Sequence, residues 1–102
     1  MLELRPNCEH CDKDLPPAAA DAHICAYECT FCAGCVEGVL KNVCPNCGGG
    51  FQPRPIRPSN EYRPGVSLRH HPASARRVVT SRSPDDIAWL VELLKTTPPE
   101  AR

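Results

Sequence analysis

The chain has 102 residues, with 12 basic and 12 acidic side chains, 8 cysteines and 12 prolines. One domain is the expectation at that length. No stretch approaches the roughly 18 apolar residues of a membrane span, and the opening MLELRPNCEH lacks the apolar run of a secretory signal. The zero net charge hides an asymmetry: residues 1–50 carry three basic against seven acidic side chains, and residues 51–102 carry nine against five. All eight cysteines lie in the first half, and eight of the twelve prolines in the second. The expected organisation is a cysteine-rich head over residues 1–51, a Pro/Arg-rich linker over 52–82 and a C-terminal amphipathic helix over 83–97.

A head of that size buries too little apolar surface to offset its chain entropy, and such domains usually need disulfides or metal. In the cytoplasm, the expected location, thiols stay reduced and paired cysteines more often bind metal. The spacing runs Cys8-x2-Cys11-x13-Cys25-x3-Cys29-x2-Cys32-x2-Cys35-x8-Cys44-x2-Cys47. Four short-spaced pairs supply two sites of four thiolates each, the donor set zinc prefers in a structural role. Were Cys25, Cys29, Cys32 and Cys35 to share one ion, a short segment would have to wrap it alone. Alternation is easier: Cys8, Cys11, Cys32 and Cys35 at one zinc, and Cys25, Cys29, Cys44 and Cys47 at the other. Two Zn²⁺ ions per chain are therefore expected, and the head is expected to unfold without them.

Between the ligands, Leu15–Ile24 is a loop stiffened by Pro16 and Pro17. His10 and His23 read as solvated, with His10 able to replace a cysteine at a metal. Tyr27 and Phe31 are expected to form the small apolar core. Val36 to Asn42 reads as a short helix, with Val36, Val39, Leu40 and Val43 on one stripe. Gly48 suits the turn after the last pair, because it tolerates positive φ.

The connector carries seven arginines, Arg54, Arg57, Arg63, Arg69, Arg76, Arg77 and Arg82, against Glu61. An extended or disordered linker is the first expectation. Contact with nucleic-acid phosphate and docking back onto the acidic head are the alternatives. Loaded with two Zn²⁺ and eight thiolates, the head reaches a formal charge of about −8, which disfavours nucleic acid there. Ser83-Pro84-Asp85-Asp86 then reads as N-cap, N1 proline and an acidic first turn. Ile87, Leu90, Val91 and Leu94 follow helical spacing, Trp89 and Leu93 flank them, and Pro98-Pro99 stops the helix. The stripe must meet the head, a second copy or a protein partner, the last through Ile87, Trp89, Leu90, Val91 and Leu94.

The order of the cysteines, with CTFC and CPNC, resembles the RING-type cross-brace, Cys29 standing where that family usually has histidine. The resemblance covers Cys8 to Cys47. It implies a small zinc-stabilised α+β fold of RING-like or treble-clef type with two zinc sites, followed by an extended basic tail and one amphipathic helix. MLELRPNC, CDKDLPP, ECTFCAGC and CPNCGGGFQPRPIRP further resemble a family of short bacterial proteins of unknown function. In that family position 10 is often cysteine, where this chain has His10.

Three function classes stand: a structural-zinc interaction or adaptor module, an enzyme using its cysteines, and a nucleic-acid binder using the arginine tail. RING ligases commonly place an aliphatic residue before the second ligand, a large apolar residue between the sixth and seventh, and a basic residue after the eighth. Here His10, the stretch VEGVLKNV and Gly48 occupy those places, and only Pro45 fits. CPNC resembles a disulfide-oxidoreductase pair, yet it precedes glycines rather than a helix start. Structural ligands, and no enzyme, are the expectation.

Overall fold

The computed structural model describes residues 1–102 and has a small α+β architecture. Three short strands, β1 (Ala22–Ile24), β2 (Thr30–Cys32) and β3 (Gln52–Pro53), form an antiparallel sheet in the order β2-β1-β3. The register sets His23 opposite Phe31 on one side and opposite Pro53 on the other. Pro53 fits because β3 is an edge strand, where a missing N–H breaks no ladder. Helix α1 (Ala33–Gly38) follows β2 directly, and α2 (Pro84–Leu94) and a 3₁₀ turn (Pro99–Ala101) complete the chain.

Helix α1 starts and stops earlier than the Val36–Asn42 expectation. Lys41 and Asn42 have φ of 49° and 61°, so the helix cannot run through them. Instead the Leu40 amide donates to the Cys35 carbonyl at 2.8 Å, and Leu40 and Val43 drop fully into the core. Val39, placed on the apolar stripe by sequence, is 44% exposed.

The core also corrects Tyr27. Phe31 is fully buried and meets Phe51 edge to face, with ring centroids 5.3 Å apart. Tyr27 lies in the hairpin turn between Cys25 and Cys29 and is 74% exposed. Phe51 takes the place expected of Tyr27, because β3 returns the chain to the sheet.

Helix α2 forms as its signals direct. Ser83 Oγ accepts from the Asp86 amide at 3.1 Å, Pro84 opens the helix, and Asp85 and Asp86 fill its first turn. Ile87 and Val91 are buried in the core cluster of the head, with Leu90 and Leu94 packed against it. The stripe is thus closed against its own head, and Ile87 and Val91 are not open to a partner. Trp89 and Leu93 face outward.

The connector departs from a free linker. It has little regular structure yet lies along the head. Arg54 is buried, and its guanidinium donates to the carbonyls of Arg5, Leu15 and Pro16 at 2.8, 3.2 and 3.0 Å. Arg57 donates to the Leu2 and His71 carbonyls. Further on, the Asn7 side-chain amide donates to the Val78 carbonyl at 2.8 Å, the Val78 amide donates back to Asn7 Oδ1, and the Thr80 amide donates to the Glu9 carbonyl. Docking on the acidic head, second to a free linker among the expectations from sequence, is what the chain does.

Candidate metal centre

Two loops and the sheet deliver the thiols. Cys8 and Cys11 lie in a tight loop closed by the Cys8 amide to Lys13 carbonyl and Asp12 amide to Cys8 carbonyl bonds, at 2.8 and 2.9 Å. Asp12, just after Cys11, takes φ of 63° to make that turn. Cys44 and Cys47 repeat the design: the Gly48 amide donates to the Cys44 carbonyl at 2.8 Å, and Gly48 has φ of 77°. A side chain at Gly48 would be strained by that φ and would also stand 3.0 Å from Leu94 of α2. Cys25 and Cys29 bracket the β1–β2 turn, Cys32 ends β2, and Cys35 lies in the first turn of α1.

These elements sort the thiols into two clusters. Cys8, Cys11, Cys32 and Cys35 have sulfurs all within 4.8 Å of one another, and so do Cys25, Cys44 and Cys47. The pairs alternate along the chain, so the two loops interlock. Cys29 stands beside the second group, near enough for its thiol to influence those of Cys25 and Cys44. It lies beyond 4.8 Å from at least one member, and the Asn46 side-chain amide donates to its sulfur at 3.4 Å. Cys11 and Cys47 are the exposed thiols, one in each cluster, and the other six are buried.

The electrostatics are those of thiols crowded together. Hydrogen bonds from the thiols of Cys29 and Cys44 pull Cys25 down to about 3. Those same contacts, from Cys25 and then Cys29, push Cys44 up, because a second charge beside the first is costly. Burial pushes Cys35 up, with Cys32 adding to the effect. Burial also pushes Cys8 up, against backbone N–H groups of Cys11, Cys32 and His10 that favour its thiolate. Cys11 is pulled down despite its burial cost, by the Lys13 N–H and the thiols of Cys8, Cys32 and Cys35. A divalent cation inverts this pattern and favours thiolates throughout.

The donor set suits such a cation. Tetrahedral zinc at about 2.3 Å from each sulfur spaces its ligands about 3.8 Å apart. Cys11 and Cys32 have sulfurs 3.8 Å apart. Backbone N–H groups aimed at sulfur, such as Tyr27 to Cys25 at 3.3 Å and Gly49 to Cys47 at 3.4 Å, offset the charge of bound thiolate. His10 is not simply solvated. Its Nδ1 lies 3.4 Å from Cys35 Sγ, a hydrogen-bond distance to the first cluster. His23 hydrogen-bonds the Asp21 carbonyl and stays away from the sulfurs.

Sequence reasoning overlooked the polar groups that brace the first cluster. Asn7 and Glu9 are buried on either side of Cys8. Glu9 accepts from the Thr30 amide and from Arg5 at 2.9 Å. Burial pushes the Glu9 carboxyl up, and the Arg5 guanidinium and Thr30 N–H oppose that only in part. Nothing in the pattern LRPNCEHC marks these side chains as buried, because their partners lie on β2 and in the connector.

An uncharacterized protein of Rhizobium meliloti (strain 1021) is 56% identical over 79 residues, covering 78% of this chain and 87% of its own length. No solved structure matches. Residues 1–57, which hold both cysteine clusters, match the family described as proteins of unknown function, DUF1272, and the chain belongs to that family.

Proposed function

We propose that this chain is a small two-zinc protein whose thiolates hold the fold, acting as a protein-interaction or adaptor module in the reducing cytoplasm. The observation that carries this reading is the sorting of alternating cysteine pairs into separate all-sulfur clusters. An all-sulfur tetrahedral set favours zinc among the common divalent ions. Cys29 is the eighth ligand, one small movement from its neighbours, and the arrangement is a RING-like cross-brace.

Holding, rather than catalysis, is supported by the absence of a helix start at the CPNC pair. Gly48 turns the chain instead, and Cys44 is fully buried. A nucleic-acid role is weakened because four of the seven connector arginines, Arg54, Arg57, Arg77 and Arg82, already hold partners within the protein. No helix is long and apolar enough to cross a membrane. The apolar side chains of α2 left for a protein partner are the outward Trp89 and Leu93, 63% and 58% exposed.

The test is metal content by elemental analysis of native, reduced protein, with thiol titration before and after chelation. Two zincs per chain and thiols that react only after chelation are expected. One zinc or none, with freely reactive cysteines, would overturn the reading and return the CPNC pair to candidacy as a redox centre.

A further inference from the structure

The first cluster and the connector share one loop. Residues 7–14 carry Cys8 and Cys11, and the same residues hold the strap formed by residues 77–80. Asn7 pairs with both backbone groups of Val78, at 2.8 and 3.2 Å, and the Thr80 amide donates to the Glu9 carbonyl at 2.7 Å. Arg77 donates to the Asp12 carboxylate and carbonyl at 2.9 and 2.7 Å, and to the Asp14 carboxylate at 2.6 Å. No residue of the strap is buried, and Val79 is 54% exposed. The strap is therefore held by polar bonds whose geometry the loop must supply. With Asn7 and Glu9 as its buried side chains beside Cys8, the loop has almost no apolar packing of its own. The loop is closed by its own Cys8 to Lys13 and Asp12 to Cys8 backbone bonds, and a metal at Cys8 and Cys11 would tie that turn to β2 and α1 through Cys32 and Cys35.

The cluster also has one open side. Cys11 is exposed, while Cys8, Cys32 and Cys35 are buried. Cys32 Sγ lies 3.8 Å from Cys11 Sγ, so a resolving thiol stands next to the accessible one.

We propose that the first cluster is a peroxide-sensitive latch: oxidation of Cys11 and Cys32 to a disulfide expels the metal and frees the arginine-bearing strap from the head. This rests on the zinc reading above. The Cys11 thiolate attacks hydrogen peroxide; an S–O bond forms, the O–O bond breaks, and the departing hydroxide takes up a proton. The Cys32 thiolate then attacks the sulfenic sulfur; the S–S bond forms, the S–O bond breaks, and a second hydroxide is protonated to water. Two sulfurs lose two electrons, peroxide is reduced to two waters, and Zn²⁺ keeps its oxidation state. Cys8 and Cys35 alone cannot complete a tetrahedral site, so the ion leaves. The loop relaxes, the Val78 and Thr80 amides lose their acceptors, and Arg77 is released from Asp12 and Asp14 beside Arg76.

The experiment uses the full zinc-loaded chain treated with stoichiometric hydrogen peroxide. Zinc release, disulfide mapping and amide exchange by NMR are followed together. The expected result is one zinc released, a Cys11–Cys32 linkage, and a rise of roughly tenfold or more in exchange at Val78 and Thr80. Reductant with added zinc restores protection. The surface change Arg77→Ala speeds exchange at those amides in untreated protein while both zincs stay bound. A first disulfide in the second cluster, or zinc loss with Val78 and Thr80 still protected, would overturn the latch. Two zincs retained after peroxide would overturn it too and leave the zinc reading intact. An untreated chain without zinc at the first cluster would instead sink the zinc reading itself.

Discussion

Arg54 holds a cation beneath the surface with three main-chain carbonyls and no carboxylate. Burial pulls its pKa below the usual arginine value, yet the guanidinium stays charged, because arginine does not deprotonate in proteins. What it supplies is a planar fork that ties the segment after β3 to the N-terminal segment and to the loop at Leu15–Pro16. Lysine has one point of charge and cannot reach three carbonyls in this geometry. Arg54→Met and Arg54→Lys are both expected to cost about 2 kcal/mol or more, since buried carbonyls lose their donors. Denaturant midpoints of zinc-loaded protein measure this, and an unchanged midpoint for the lysine variant would show that charge alone suffices. Cys29 is a second case at this scale. Its sulfur lies beside Cys25 and Cys44 but outside the tightest grouping. With Cys29→Ser, the second site is expected to lose its zinc under mild chelation while the first keeps its own. Two zincs held as firmly as in the parent protein would mean that the second site uses three cysteines.

Helix α2 illustrates how an element divides between packing and exposure. Ile87 is 5% exposed and Trp89 63%, though both are large, apolar and two residues apart. Ile87→Ala should therefore cost about 2–5 kcal/mol by opening a cavity against the head. Trp89→Ala should stay within about 0.5 kcal/mol, as surface changes do. Thermal unfolding of the two variants decides between them, and equal losses would mean that Trp89 packs on something in solution. This helix was legible in the sequence because cap, first-turn acids and apolar stripe are local signals that agree. The cysteine pairs were legible for the same reason: the short spacings confine both sulfurs of a pair. The strands were not, since three residues are too few to show alternation. Tyr27 misled because aromatic identity says nothing about which residue falls in a turn; Phe31 on β2 finds Phe51, a partner 20 residues away in sequence. The connector misled for a different reason. Its docking uses backbone groups and guanidinium forks, and Pro/Arg composition reads the same whether those groups meet water or carbonyls.

At the scale of the whole molecule, the two clusters are the interior of the head as much as its candidate metal sites. Cysteines make up six of the fifteen residues in the buried core cluster, so the shape of that core depends on what the sulfurs hold. Each structural zinc in small peptides contributes about 10–16 kcal/mol, far more than the remaining apolar burial of a head this size can supply. That dependence carries a sign with pH. Cys35 and Cys44 have thiols pushed up by burial and by their neighbours, so in the unloaded chain they carry protons at neutral pH. Loading removes those protons, and the unfolded, metal-free chain binds more protons than the loaded fold. Stability of the loaded protein therefore rises with pH and falls as acid competes for sulfur. The thermal midpoint of zinc-loaded protein, measured in weakly coordinating buffer from pH 8 down to pH 5, should drop steadily, with zinc appearing in solution as it does. Excess zinc should raise the midpoint at each pH by mass action. A midpoint insensitive to both acid and zinc would mean that packing of Phe31, Leu40, Phe51 and α2 sustains the head by itself. The thiols would then be lining a core rather than holding one.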